Sequence, residues 1–185
     1  MDFNYMKKIQ EHYNNVWENT SSSQQWNKGP IQELPNGFNI LSFKPTKLRN
    51  VWTYATCGMS TPSDSAPLEL HIFAPEQNDD LVELLTVIAH YHRTGSSLGL
   101  GHTVNFGQPW WDKSSCEYGL ISLPYLDGPS LEWLDIDGIK MQFLWLIPIT
   151  KLEVDYKKKH GLDALEEKFD NPTFNYLNPY RKSVI

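Results

Sequence analysis

Tyr5, Ile9, Tyr13, Val16 and Trp17 recur at the three-to-four-residue spacing of one helix face, which predicts an amphipathic helix over residues 4–18 with its stripe turned to a core. Residues 19–27 are polar and serine-rich and read as a connection, after which Pro35-Asn36-Gly37 forms a turn into a strand at 38–43. Aromatic and β-branched residues predict another strand at 51–56, with Gly58 turning the chain beyond it. Leu68, Leu70 and Ile72 then alternate with Glu69, His71 and Phe73, the period of two that marks a third strand and puts Glu69 and His71 on one face.

In the second half, Asn78 is placed to cap a helix running to Tyr91, with Asp79 and Asp80 against its positive end, Leu81, Leu84, Leu85, Ile88 and Tyr91 inward, and Gly95 as its stop. Strands are predicted at 119–123 and 140–147, with Asp137-Gly138 as a turn near them. Thr150 and Glu153 have the spacing of a capping box, opening a helix to Lys159 or His160 that Gly161 ends. Asp163 is placed to cap a short helix to Phe169, and Asn171-Pro172 and Asn178-Pro179 mark an irregular tail. Mixed periods of two and 3.6 predict an α+β fold: one domain with a mixed or mainly antiparallel sheet core flanked by helices. The best internal boundary separates an amino-terminal helix and connection, 1–35, from the main domain, 36–185.

One stretch does not reduce to a helix or strand. Leu98-Gly99-Leu100-Gly101-His102-Thr103-Val104-Asn105-Phe106-Gly107-Gln108-Pro109-Trp110-Trp111 combines glycines, a histidine and paired tryptophans without a formal charge. Its glycines and Pro109 suit a loop of fixed shape, in which His102 and Asn105 are expected to organise the backbone by hydrogen bonding. Adjacent side chains on extended backbone point to opposite sides, so one of Trp110 and Trp111 is expected to pack inward and the other to anchor a partner. Trp52, Trp133 and Trp145 are assigned to the interior, because large rings contribute most when buried.

That run, taken with Trp52-Thr53-Tyr54-Ala55-Thr56-Cys57-Gly58-Met59-Ser60, Glu69-Leu70-His71-Ile72, Leu123-Pro124-Tyr125 and Trp145-Leu146-Ile147-Pro148-Ile149-Thr150, resembles the suppressor of fused domain from about Asn36 to Ile185. The resemblance implies an α+β domain that binds proteins. Animal members restrain a transcription factor and carry a second domain that helps clamp the ligand, whereas bacterial single-domain members look like immunity proteins of polymorphic toxin systems. The chain stops where the first domain of the animal form would end, so the animal signalling role is not transferred.

Charge sharpens the partner. The net charge of −6 is segregated: residues 51–139 hold 12 acidic and 2 basic residues, a local −10, while the rest holds 10 acidic and 14 basic, a local +4. A solvated surface accounts for such a segment; the sharper reading is that Asp127, Glu132, Asp135 and Asp137 face a basic protein, such as a toxic nuclease. Lys157, Lys158 and Lys159 close a predicted helix and are explained by its negative end, so direct nucleic-acid binding is not expected. No apolar run approaches the roughly 20 residues that span a bilayer, the start of the chain lacks the apolar centre of a signal peptide, and two cysteines are too few for a disulfide framework. A cytoplasmic setting without membrane association follows as the expectation.

Enzymatic chemistry is weakly prompted. His90 and His92 are about 200° apart around a helix and do not share a ligand, Gly99-x-Gly101 lacks the rest of a dinucleotide fingerprint, and Cys57 has no nucleophile signature. No metal or cofactor is expected, and Glu69, His71 and His102 would meet only through tertiary folding. The reading is a non-enzymatic binding module, an immunity protein acting by stoichiometric binding, with a regulatory scaffold and then an uncharacterised hydrolase as alternatives.

Overall fold

Along residues 3–185, the span described by the computed structural model, the elements run α1 (Phe3–Val16), β1 (Ser22–Gln24), β2 (Asn39–Phe43), β3 (Trp52–Cys57), β4 (Leu68–Ala74), α2 (Asp80–Thr94), β5 (Thr103–Asn105), β6 (Cys116–Ser122), α3 (Pro129–Glu132), β7 (Trp133–Ile136), β8 (Ile139–Thr150), α4 (Lys151–His160) and α5 (Leu162–Phe169). The strands form one sheet in the order β1-β2-β3-β4-β8-β6-β5, with β7 also paired to β8. Its neighbours are antiparallel except β4 and β8, which run parallel from Leu68 opposite Gln142 to His71 opposite Trp145. The α+β expectation therefore holds, as one compact domain built on a mixed sheet.

Alternation along β8 decides what covers each face. Leu144 and Leu146 point to the side where α2 lays Leu81, Leu85 and Ile88. Phe143 points to the opposite side, where α1 brings Ile9, Tyr13 and Trp17 against Leu41 and Phe43. Farther along that same face, Trp145, Ile147 and Ile149 pack with Val154 of α4 and Leu165 of α5. Ile9 and Tyr13 are fully buried, and an aliphatic side chain buried like Ile9 contributes roughly 1.5–3 kcal/mol of transfer free energy. The first helix is thus a roof over the sheet, joined to the same core as the rest of the chain.

Several boundaries differ from the sequence pattern for local reasons. The polar connection contains β1, an edge strand held by backbone pairing to β2 and by Ser23 donating to Asn39 at 3.0 Å, which needs no apolar side chain. Asn78 sits one residue before the cap of α2 and accepts from the Asp80 amide at 2.9 Å, while Gly95 ends the helix by donating to the Tyr91 carbonyl. Asp137 and Gly138, at φ 56° and 87°, form a two-residue hairpin between β7 and β8, with Ile136 opposite Ile139. The partner of β8 across this turn is therefore β7; β6 pairs farther along the same edge. At Thr150 the capping box is complete, with the Glu153 amide donating to Thr150 Oγ1 and Glu153 accepting from the Thr150 amide.

Candidate partner-binding surface

The glycine-rich run builds one edge of the sheet. Gly101 and Gly107, at φ +78° and +76°, turn the chain into and out of β5, and Asn105 Oδ1 accepts from the Gly107 amide at 2.8 Å. Ile121 donates to the His102 carbonyl at 2.9 Å and Phe106 donates to the Glu117 carbonyl at 3.0 Å. Alternate residues therefore face β6, which leaves the backbone groups of Thr103 and Asn105 directed away from the sheet. Among the described residues no strand pairs with that outer side. Phe106 can lie over β6 because its neighbour is Gly119, where a Cβ would fall 2.6 Å from the Phe106 ring and 2.5 Å from Leu146.

Beside this edge runs an apolar groove of about 220 Å³, floored by Leu84, Ile88 and Phe106 and flanked by Val87 and Tyr91 of α2. Val87 is 40% and Tyr91 44% exposed, so two apolar side chains stand in solvent next to unpaired strand backbone. His102 is also exposed, and its backbone, not its ring, enters the loop's hydrogen bonds. The expected organising role of its imidazole gives way to the glycine turns and Asn105.

The predicted anchors separate. Trp110 is buried, with Nε1 lacking a partner among the described residues, and Trp111 is half-buried against the α2-side core, the two ring centroids being 5.3 Å apart. Asp127 is likewise interior: it pairs with Arg49 and accepts from Trp17 Nε1 at 3.0 Å. Glu132 is half-buried and accepts from Gln142; Asp135 and Asp137 are exposed, the first accepting from the Gly138 amide and the second paired with Lys8 at 2.8 Å. The tryptophan pair lies near Cys116, opposite Thr150, whereas Asp135 lies opposite Lys140. Ten residues of β8 separate those positions, about 33 Å, so the acidic residues do not surround the tryptophan pair.

A different aromatic accompanies the acids. Trp133 is 49% exposed, contrary to its assignment to the interior, because β7 alternates Leu134 and Ile136 inward with Trp133 and Asp135 outward. Period-two reading of Trp133-Leu134-Asp135-Ile136 contains that signal. Tyr91, expected to face inward, is exposed beside Val87, because α2 carries apolar residues on more than its buried stripe.

The groups that carry reactive chemistry are dispersed. Cys57 is buried at β3, donates to the Met6 carbonyl and has its thiol pushed far up by burial and by Glu69. His102 lies four strand spacings away, about 19 Å across the sheet. His71 is buried with both ring nitrogens unpartnered among the described residues, and burial, with Arg49 nearby, drives its pKa down to about 3, so the ring is neutral. His92 accepts from the Leu98 amide at 2.9 Å and is also shifted down by burial. Among the described residues no three His, Cys, Asp or Glu side chains are grouped to hold a metal, and no helix is long and apolar enough to cross a membrane.

A family model for suppressor of fused protein matches residues 35–182. A crystal structure of a SUFU homolog from Neisseria gonorrhoeae FA 1090 superposes with a TM-score of 0.86 at 30% identity, covering 100% of this chain and 98% of that one. The chain in a Sufu-Fu complex matches with a TM-score of 0.68 at 15% identity over 97% of this chain and 92% of that one. Drosophila Suppressor of Fused matches with a TM-score of 0.69 at 15% identity; all of this chain is covered, but only 54% of that one. Those two share the fold. No curated protein matches in sequence. The family model spans most of the chain and the Neisseria structure matches it end to end: the chain belongs to the suppressor of fused protein family.

Proposed function

We propose that the protein acts without turnover, by stoichiometric binding of another protein at the outer edge of β5. The observation that carries this reading is the unpaired strand backbone at Thr103 and Asn105 beside the apolar groove with exposed Val87 and Tyr91. An extended segment laid along this edge gains main-chain hydrogen bonds from β5 and inserts alternate side chains into the groove. The Sufu-Fu complex, a complex formed by a protein of this fold, supports a binding role. In a bacterial setting the partner is a cognate toxin, and the protein is its immunity protein. The net charge of −6 favours a basic partner, with Glu132, Asp135, Asp137 and exposed Trp133 as a second contact and Trp111 at the rim of the first. Two free, buried cysteines suit a reducing cytoplasm.

Co-expression with a toxin encoded beside the gene, followed by pull-down, tests this reading. Rescue of growth and a one-to-one complex are expected, and Val87→Asp should remove both while leaving a folded protein, since Val87 is exposed. Equal killing with and without the protein, and no complex, would exclude immunity to that toxin.

A further inference from the structure

On the opposite face of the sheet, a cavity of about 550 Å³ opens between the β6–β8 surface, α5, the carboxy-terminal tail and the loop at 125–126. This is within the size range of small-molecule and side-chain pockets. Its inner wall is aromatic: Trp145 and Tyr176 meet at 90° with centroids 5.1 Å apart, and Phe174 continues the wall. Its rim is anionic, carrying Asp163, Glu166 and Glu167 of α5 and Asp170 at its carboxy-terminal cap. Among the described residues no lysine or arginine lines the cavity or pairs with these four carboxylates.

Glu166 is held in place from below. The buried Ser122 hydroxyl donates to one of its oxygens at 2.5 Å and the Tyr125 hydroxyl donates to the other at 2.9 Å. Tyr125 has its pKa pushed up to about 12 by desolvation, by its hydrogen bond to Glu166 and by the fields of Glu166, Asp163 and Asp170. Lys168, the basic residue of α5, lies over Tyr156 instead.

The same aromatic cluster already holds guanidinium groups on its inner side. Arg49 lies 5.2 Å from the Phe73 centroid, Phe73 in turn packs on Trp145 and Tyr176, and Arg181 lies 4.9 Å from Phe174. A planar, weakly hydrated guanidinium stacks on such rings and pairs with a carboxylate in the same pose. We infer that this cavity is a binding site for an arginine side chain presented by a protein partner. Aromatic walls supply the stacking surface and Glu166 the fixed carboxylate, while Asp163, Glu167 and Asp170 draw the cation in. The inference rests on the protein-binding reading and adds a second, chemically distinct contact to it.

The test titrates the full chain with acetyl-Gly-Arg-Gly-amide, monitored by amide and indole shifts in two-dimensional NMR, with the isosteric citrulline peptide as control. Saturable shifts centred on Trp145, Glu166 and Tyr176 are expected, with the neutral peptide bound roughly tenfold more weakly or worse. The triple change Asp163→Asn, Glu167→Gln, Asp170→Asn alters exposed side chains only and should weaken the arginine peptide by a similar factor, about tenfold. Equal binding of both peptides, unchanged binding by the triple variant, or shifts away from the cavity would overturn the assignment. Val87→Asp, on the other face of the sheet, should leave this titration intact. Loss of the cavity result alone removes the arginine site, and loss of the partner complex alone removes the β5 reading.

Discussion

Glu69 and Glu153 are both fully buried, yet their surroundings drive them in opposite directions. Glu69 lies at the start of β4 under α1 and accepts from the Thr56 hydroxyl at 2.5 Å and from the Gly58 and Met59 amides at 2.9 and 3.0 Å. No cation pairs with it among the described residues, and burial outweighs those bonds, raising its pKa to about 7. Glu153 accepts two bonds from Arg181, at 2.7 and 2.8 Å, and others from the Thr150 and Val184 amides. Burial again works against its charge, but the guanidinium and amides prevail and hold the carboxyl below the usual range. Hydrogen bonds alone leave the Glu69 carboxyl easier to protonate than a free one, whereas the added bidentate cation makes the Glu153 carboxyl harder to protonate.

The largest expected effect comes from uncovering one of the two sites. Tyr5 and Tyr13 of α1 feel the charge of Glu69, and α1 also contributes Ile9 and Trp17 to the core. Deleting residues 1–18 should abolish cooperative thermal unfolding, since Ile9, worth roughly 1.5–3 kcal/mol by burial, is lost together with the large rings of Tyr5, Tyr13 and Trp17. A sharp transition in the truncated protein would separate α1 from the folding unit. Next comes Arg181→Ala, which strands Glu153 and should cost about 3–5 kcal/mol in urea unfolding at neutral pH. The deficit should shrink in acid, where Glu153 protonates.

Glu69→Gln tests the other half of the comparison by its pH profile. Folding raises the Glu69 pKa from 4.5 to about 7, so the folded state holds a proton the unfolded chain releases. Its contribution is complete below pH 4.5 and declines as the pH rises through 7, by up to about 1.4 kcal/mol per pH unit. Glu153 has the reverse sign: its contribution is present above 4.5 and disappears as the pH falls through its lowered value. Glu69→Gln should flatten the decline between pH 4.5 and 7 and spare the acid limb. A decline that persists in the variant would assign it to another group. Smallest of all, His102→Ala should shift stability by no more than about 0.5 kcal/mol, because that ring is exposed, and it gives the baseline for the other variants.

Much of this frame is legible in the sequence because it follows from periodicity. The stripe of α1, the alternation in β4 and the Thr150–Glu153 box depend on residues a few positions apart. The partnership of Glu153 with Arg181 spans 28 residues and has no local signature. Asp127 has the composition of a surface turn residue and becomes interior only because Arg49 and Trp17 arrive from elsewhere in the chain. Trp110 and Trp111 illustrate a related limit: they lie in a bend, not on extended backbone, so both rings pack against the same α2-side core and neither is freed to anchor a partner as the alternation rule predicts. The β5 edge was legible as an unusual run, but its open side depends on strand order, which no local pattern encodes.

That strand order also governs how the chain finds its shape. β8 is the last strand in sequence and stands near the middle of the sheet, joined to β4 on one side and to β6 and β7 on the other. Before it docks, the β1–β4 meander and the β5–β6 pair are two unjoined fragments with open edges. Its parallel pairing with β4 closes a loop of more than seventy residues, Leu68 to Gln142, before any contact rewards the closure. Joining the two halves is therefore the entropically costly step of folding, and its rate should respond most to changes at Leu144 and Leu146, where β8 meets the core beneath α2.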